Sequence, residues 1–139
     1  MKSELRSKLI LTLSVAQKIA AAAEAEAKKN GWDVSIAVMD DAARLICFLH
    51  MDNANNASSD IAIAKARHAI NYRRDTKFHE DVVAAGHNQV LAFPNVLPVE
   101  GGIRLIVDDV VIGAIGVSGV QSPQDGQIAR AGADLLAKP

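Results

Sequence analysis

The sequence predicts an α+β fold, an antiparallel sheet packed by helices, and two observations carry the prediction. Short strand-like apolar runs fall in two pairs, and each pair is joined by adjacent aspartates, Asp40-Asp41 and Asp108-Asp109, so each pair reads as a hairpin. Helical patterns precede, separate and follow the hairpins, and a hairpin needs none of the long crossovers that parallel strands require. With 139 residues, a single domain with one core is expected, since a chain of this size buries roughly 68–70% of its unfolded surface.

The elements follow in order. Ser14 and Gln17 have capping-box spacing, so a first helix is expected over residues 14–30, with Val15, Ile19, Ala22, Ala23 and Ala27 on its apolar face. Lys28 and Lys29 suit its carboxyl end and Gly31 its stop. Residues 34–39 alternate with period two, the pattern of a strand with one core-facing side, and residues 45–50 supply its partner. Ser58, Ser59 or Asp60 is expected to cap a second helix running to about Tyr72, and a short helix covers 76–84. Residues 86–98, with Pro94 and Pro98, read as an irregular connection. Strands over 103–107 and 110–117 form the second hairpin, with Gly113 and Gly116 permitting close backbone approach. Ser122-Pro123-Gln124-Asp125 announces a terminal helix to about Leu136, with Ser122 as its cap.

Composition narrows the function. Charged residues make up 22% and apolar residues 50%, a globular balance, and the 4% that are aromatic leave a core of Ala, Val, Leu and Ile. A formal charge of -1 offers no general attraction for nucleic acid or anionic lipid, so neither nucleic acid nor membrane is an expected partner. Cys47 is the only cysteine, which excludes an internal disulfide and a zinc-cysteine cluster and suits a reducing compartment. The start, with Arg6, Lys8 and Leu9-Ile10-Leu11, imitates a signal peptide. Glu4, Thr12, Ser14, Gln17 and Lys18 interrupt it, so the segment is read as an amphipathic helix and the protein as cytoplasmic. No apolar run approaches the ~20 residues that span a bilayer. The histidines lack H-x-x-x-H and H-E-x-x-H spacing, so no metal site is expected, and Rossmann and P-loop fingerprints are absent.

Three blocks, taken in order over about residues 11–137, resemble a known family. The first is Leu11-Thr12-Leu13 before the Ala-rich helix, then Val34 to Asp40. The second is Met51-Asp52-Asn53-Ala54 with Ser58, Ala62, Lys65 and Ala66, similar to a short acidic loop and an S-x-x-x-A-x-x-K-A helix. The third is Glu100-Gly101-Gly102-Ile103 followed by Val110 to Gly119, similar to a G-G-x-P strand start and a G-x-I-G-V-S-G strand. These blocks resemble the GlcG/HbpS-type family, which is also similar to the C-terminal domain of PduO. The resemblance implies a profilin-like or PAS-like sheet and commonly a homo-oligomer. For ligands it implies haem, cobalamin-related roles or places in catabolic operons. The chain departs from the pattern at Asp40-Asp41-Ala42-Ala43, where the family often has D-x-x-G, and at Arg104 and Asp108-Asp109; its first helix also lacks a histidine.

Each candidate residue has a bland alternative. Gly101-Gly102 can open backbone amides toward an anion, with Glu100 and Arg104 orienting polar groups; a simple bend at a strand start also explains the glycines. Lys65 can serve as a cation for a carboxylate or as a desolvated amine, although a structural ion pair explains it as well. His79 and His87 flank the short helix and the irregular loop, where an imidazole can act as acid, base or haem ligand; a surface histidine is the simpler reading of each. His68 and Tyr72 share a helix face, and His50-Met51 point to opposite faces of a strand. Arg44 reads as a turn charge and Gly116 to Gly119 as strand packing, since a nucleophile elbow needs different spacing.

The leading expectation is a small oligomeric binder of haem or another planar or carboxylated small molecule, accessory to a catabolic pathway, with Lys65, His79, His87, Glu100, Gly101, Gly102 and Arg104 at its ligand site. No catalytic residue is assigned. A small enzyme acting on a compact organic acid, with Lys65, His79 or Glu100 handling protons, and a purely structural oligomeric module are the alternatives.

Overall fold

A computed structural model describes residues 1–137. After a short 3-10 turn, helix α1 (Leu13–Lys29) leads into the hairpin β1 (Ser35–Asp40) and β2 (Leu45–His50). Helices α2 (Ala57–Tyr72) and α3 (Thr76–Ala84) follow, then a 3-10 turn (Asn88–Ala92), the hairpin β3 (Gly102–Val107) and β4 (Val110–Ser118), and helix α4 (Ser122–Ala133) with a closing 3-10 turn. The four strands form one antiparallel sheet in the order β2-β1-β4-β3. The α+β class expected from the hairpins is the fold observed.

The two hairpins meet through β1 and β4, and this makes β1 a central strand. All six of its residues are buried, which corrects the expectation of one core-facing side. Ile36 and Val38 join Ile103, Leu105, Ile115 and Val117 beneath α1 and α4, whereas Ala37 and Met39 pack against Ala62 and Ala66 of α2 on the other face. Helices therefore cover both sides. The α2 face is built of small side chains, and at Gly116 a β-carbon would lie 2.1 Å from the Ala62 carbonyl oxygen. The bare backbone of β4 is what lets α2 lie this close.

Local chemistry moves several helix starts. Thr12, not Ser14, caps α1, its hydroxyl accepting from the Val15 amide at 3.2 Å. Ser58 is buried within α2, and the side chain of Asn55 accepts from its amide instead. Gln121 rather than Ser122 precedes α4, its amide donating to the Gln124 side chain. Asp108 and Asp109 both take left-handed backbone angles, the conformation of a tight hairpin turn.

Candidate functional site

Six of the seven candidate residues meet at one corner, where the first turn of α3 packs along the outer edge of β3. Gly102 and Arg104 direct their amides away from β4, and α3 receives both. The Thr76 hydroxyl accepts from Gly102 at 2.9 Å, and one oxygen of Asp75 accepts the Arg104 amide and its Nε, each at 3.0 Å. Arg130 of α4 holds the second Asp75 oxygen at 3.3 Å. One turn on, a Glu80 oxygen accepts the Glu100 amide at 3.0 Å. The amide hydrogens of Glu100, Gly102 and Arg104 are thus already taken, so the corner is a seal along β3 rather than an open anion cradle.

Lys65 lies behind it and is 1% exposed. Its ammonium donates to the Val117 carbonyl at 3.0 Å and to Asp125 at 3.1 Å, passing from α2 around the end of the sheet to α4. Gly101 sits directly on it, since a β-carbon there would be 2.7 Å from Nζ, and its φ of +134° also favours glycine. Burial pushes the Asp125 carboxyl above the usual carboxylate range, and the Lys65 charge opposes that push. The lysine is a buried strut, with no route by which a substrate reaches the amine.

His79 is drawn into a relay. The Leu97 amide donates to His68 Nδ1 at 2.9 Å, so that nitrogen is unprotonated. In the neutral ring the proton is then on Nε2, which donates to His79 Nδ1 at 2.9 Å. His79 in turn carries its proton on Nε2. Burial pushes His68 down to about 4, with His79 adding to the effect, and burial together with the Arg74 charge lowers His79, so both rings stay neutral. The lone pair that iron needs is absent from the outer nitrogen of His79, and its inner one is occupied. The geometry therefore disfavours His79 as an axial ligand.

Around the relay stand most of the chain's scarce aromatic residues. Tyr72 packs on His68 and His79, donates its hydroxyl to the Pro94 carbonyl, and stacks on Phe93 at 6.0 Å between centroids. Phe78 meets His79 edge-on and carries the Arg74 guanidinium 4.8 Å from its centroid. Phe78, Leu91 and Phe93 are exposed apolar side chains, at 48%, 56% and 41%. His87, the one candidate away from the sealed corner, is exposed in the connection between α3 and the 3-10 turn that presents Leu91. Sequence reasoning missed Asp75, Thr76, Asp125 and Arg130, whose partners lie 26 to 60 residues away and leave no local signal.

Two other features bear on ligands. A cavity of about 450 Å³ lies beside β2 and is lined by both His50 and Met51, with Glu24 and Lys28 of α1. Burial raises the Cys47 thiol, which disfavours the thiolate form that binds iron. No group of three or more metal-binding side chains occurs among the described residues, and no helix there is long and apolar enough to cross a membrane.

Sheet order, helices on both faces and the α3 corner together define an α+β domain of known type. Residues 11–134 match the family described as haem degrading protein HbpS-like, and the chain belongs to that family. The protein GlcG of Escherichia coli is 42% identical over 114 residues, which cover 82% of this chain and 85% of GlcG. The crystal structure of HbpS is similar with a TM-score of 0.87 at 32% identity, over 96% of this chain and 95% of that one. The structure of PduOC in complex with haem is similar with a TM-score of 0.81 at 25% identity, over 90% and 94%.

Proposed function

We propose that the chain is a small, homo-oligomeric, cytoplasmic haem-binding protein, accessory to a catabolic pathway. The observation that carries the reading is the similarity of 90% of the chain to PduOC, which is seen bound to haem. The exposed Phe78, Leu91 and Phe93 face supplies apolar surface for a flat ring. Arg74, held over Phe78, supplies a cation for a propionate, and the outward N–H of His79 supplies a hydrogen-bond donor. His87 is the proposed axial ligand, because it sits on the same connection, is exposed, and is outside the relay that protonates the outer nitrogen of His79.

Haem titration followed in the Soret band tests this. Wild type is expected to give a saturable ligation spectrum that His87→Ala abolishes, while His79→Ala weakens affinity and keeps the spectrum. If His87→Ala keeps the wild-type spectrum, the axial assignment is wrong; if wild type never saturates, haem is the wrong ligand.

A further inference from the structure

Between the first 3-10 turn and α1 the chain runs as an irregular leg. Leu11 of this leg is buried beside Gly113 of β4, and Lys8 reaches the Asp41 carboxylate beyond β1 at 2.6 Å, so the leg is pinned at two points. A cavity of about 400 Å³ lies between the leg and the body, within the usual size of a small-molecule site. Its charged lining is Arg6 and Lys8 from the leg, Arg73 from the end of α2, and Asp41. Lys8 and Asp41 satisfy each other, and neither guanidinium has a carboxylate partner among the described residues. Two uncompensated cations thus share one space in a chain whose net charge is -1. They repel each other, and an anion between them removes that cost. Arg73 is also an unusual residue for its place. It ends α2 with a φ of +51°, the left-handed conformation where glycine is the common choice. A costly backbone kept at a long cationic side chain points to a use for that side chain. The remaining wall is apolar, made by Leu9 and Val110, both more than half exposed, with Val111.

We propose that this cavity binds a small anion carrying a short apolar chain, a carboxylate or a phosphate monoester. Arg6 and Arg73 hold the anionic group from opposite walls, one on the leg and one on the body, while Leu9, Val110 and Val111 cover the chain. Binding therefore ties the leg to α2 through the ligand. The cavity shares no residue with the surface proposed for haem, and the inference stands or falls without that reading.

Hexanoate and hexyl phosphate are the probes, titrated without haem into the isotope-labelled chain and followed by amide NMR. Hexanol and inorganic phosphate are the controls, each lacking one half of the ligand. At least one hexyl anion should saturate and shift the amides of Leu9, Arg73, Val110 and Val111, and the tighter of the two names the head group. Each control should bind about tenfold more weakly or worse, having lost either the charged hydrogen bonds or the apolar burial. Arg6→Gln, on the exposed leg, should weaken the better probe about tenfold or more with the fold kept. Arg73→Gly should do the same while keeping or raising the thermal midpoint, because glycine suits the left-handed position. Hexyl anions that bind no better than hexanol, inorganic phosphate as tight as hexyl phosphate, or shifts confined to residues outside the cavity would overturn the proposal. So would an Arg73→Gly chain that melts lower yet binds as before, since Arg73 would then serve only as a counter-charge to the α2 dipole.

Discussion

His68 is buried without charge between the Leu97 amide and His79, and this couples folding to pH. Its ordinary value of 6.5 falls to about 4 in the folded chain. Between those values the unfolded chain binds a proton that the folded one refuses, so stability rises with pH across the window and is lost as pH falls through it. The difference corresponds to roughly 3 kcal/mol, with His79 acting in the same direction. Urea midpoints measured from pH 7 to 4 should fall in the wild type. His68→Asn keeps an acceptor for Leu97 and removes the titration, so it should be less stable at pH 7 and flatter in acid. An unchanged slope in that variant would assign the acid sensitivity to another group. The site histidines were legible as residues, but their protonation was not. It depends on a backbone amide 29 residues from His68 and a second ring 11 residues away.

Helix α2 lies close against β4, and the reason is the absence of side chains. At Gly116 a β-carbon would meet the Ala62 oxygen at 2.1 Å and the Ala66 nitrogen at 2.5 Å, both backbone atoms that move only if the whole helix moves. Gly116→Ala should therefore cost at least about 1–3 kcal/mol, the usual range for overpacking a core. Gly31 is a useful contrast. It ends α1 with a φ of +71° and has nothing within 4 Å of its absent β-carbon, so Gly31→Ala should cost only the roughly 1 kcal/mol of a left-handed backbone. Thermal melts of the two variants separate crowding from conformation, and equal losses would refute the crowding account. The G-x-x-G spacing pointed to close approach, yet only the packed helix shows that Gly116, not Gly113, faces it.

At the scale of the whole molecule, Lys65 and Asp125 join layers that the sheet keeps apart, α2 on one face and α4 on the other. Both groups are buried, so removing one partner strands a charge. Asp125→Asn keeps the acceptor for the Val120 amide and should cost about 3–5 kcal/mol. Lys65→Met combined with Asp125→Asn should lose much less than the two single variants together, because no charge is then left unpaired. Denaturant unfolding of the four proteins measures the coupling. Additive losses would show that the pair does not act as a unit.

Local pattern was enough for the elements themselves. Period two in residues 34–39, the apolar run over 45–50, the paired aspartates between strands, the proline after Ser122 and the helix over 76–84 are written in neighbouring residues, and neighbours determine hairpins, turns and caps to within a residue or two. Family blocks spread along the chain were likewise readable, since they need only order and spacing. The tertiary structure alone decided that β1 lies inside the sheet and is buried on both faces, because that follows from which hairpin edges meet. It also decided that Lys65 is a strut, that Asp75 and Thr76 close the edge of β3, and that His79 carries its proton on the outer nitrogen. Each of those roles is set by a partner distant in sequence, and hydrogen bonding and burial act through space, where the order of residues along a single chain carries no direct record of them.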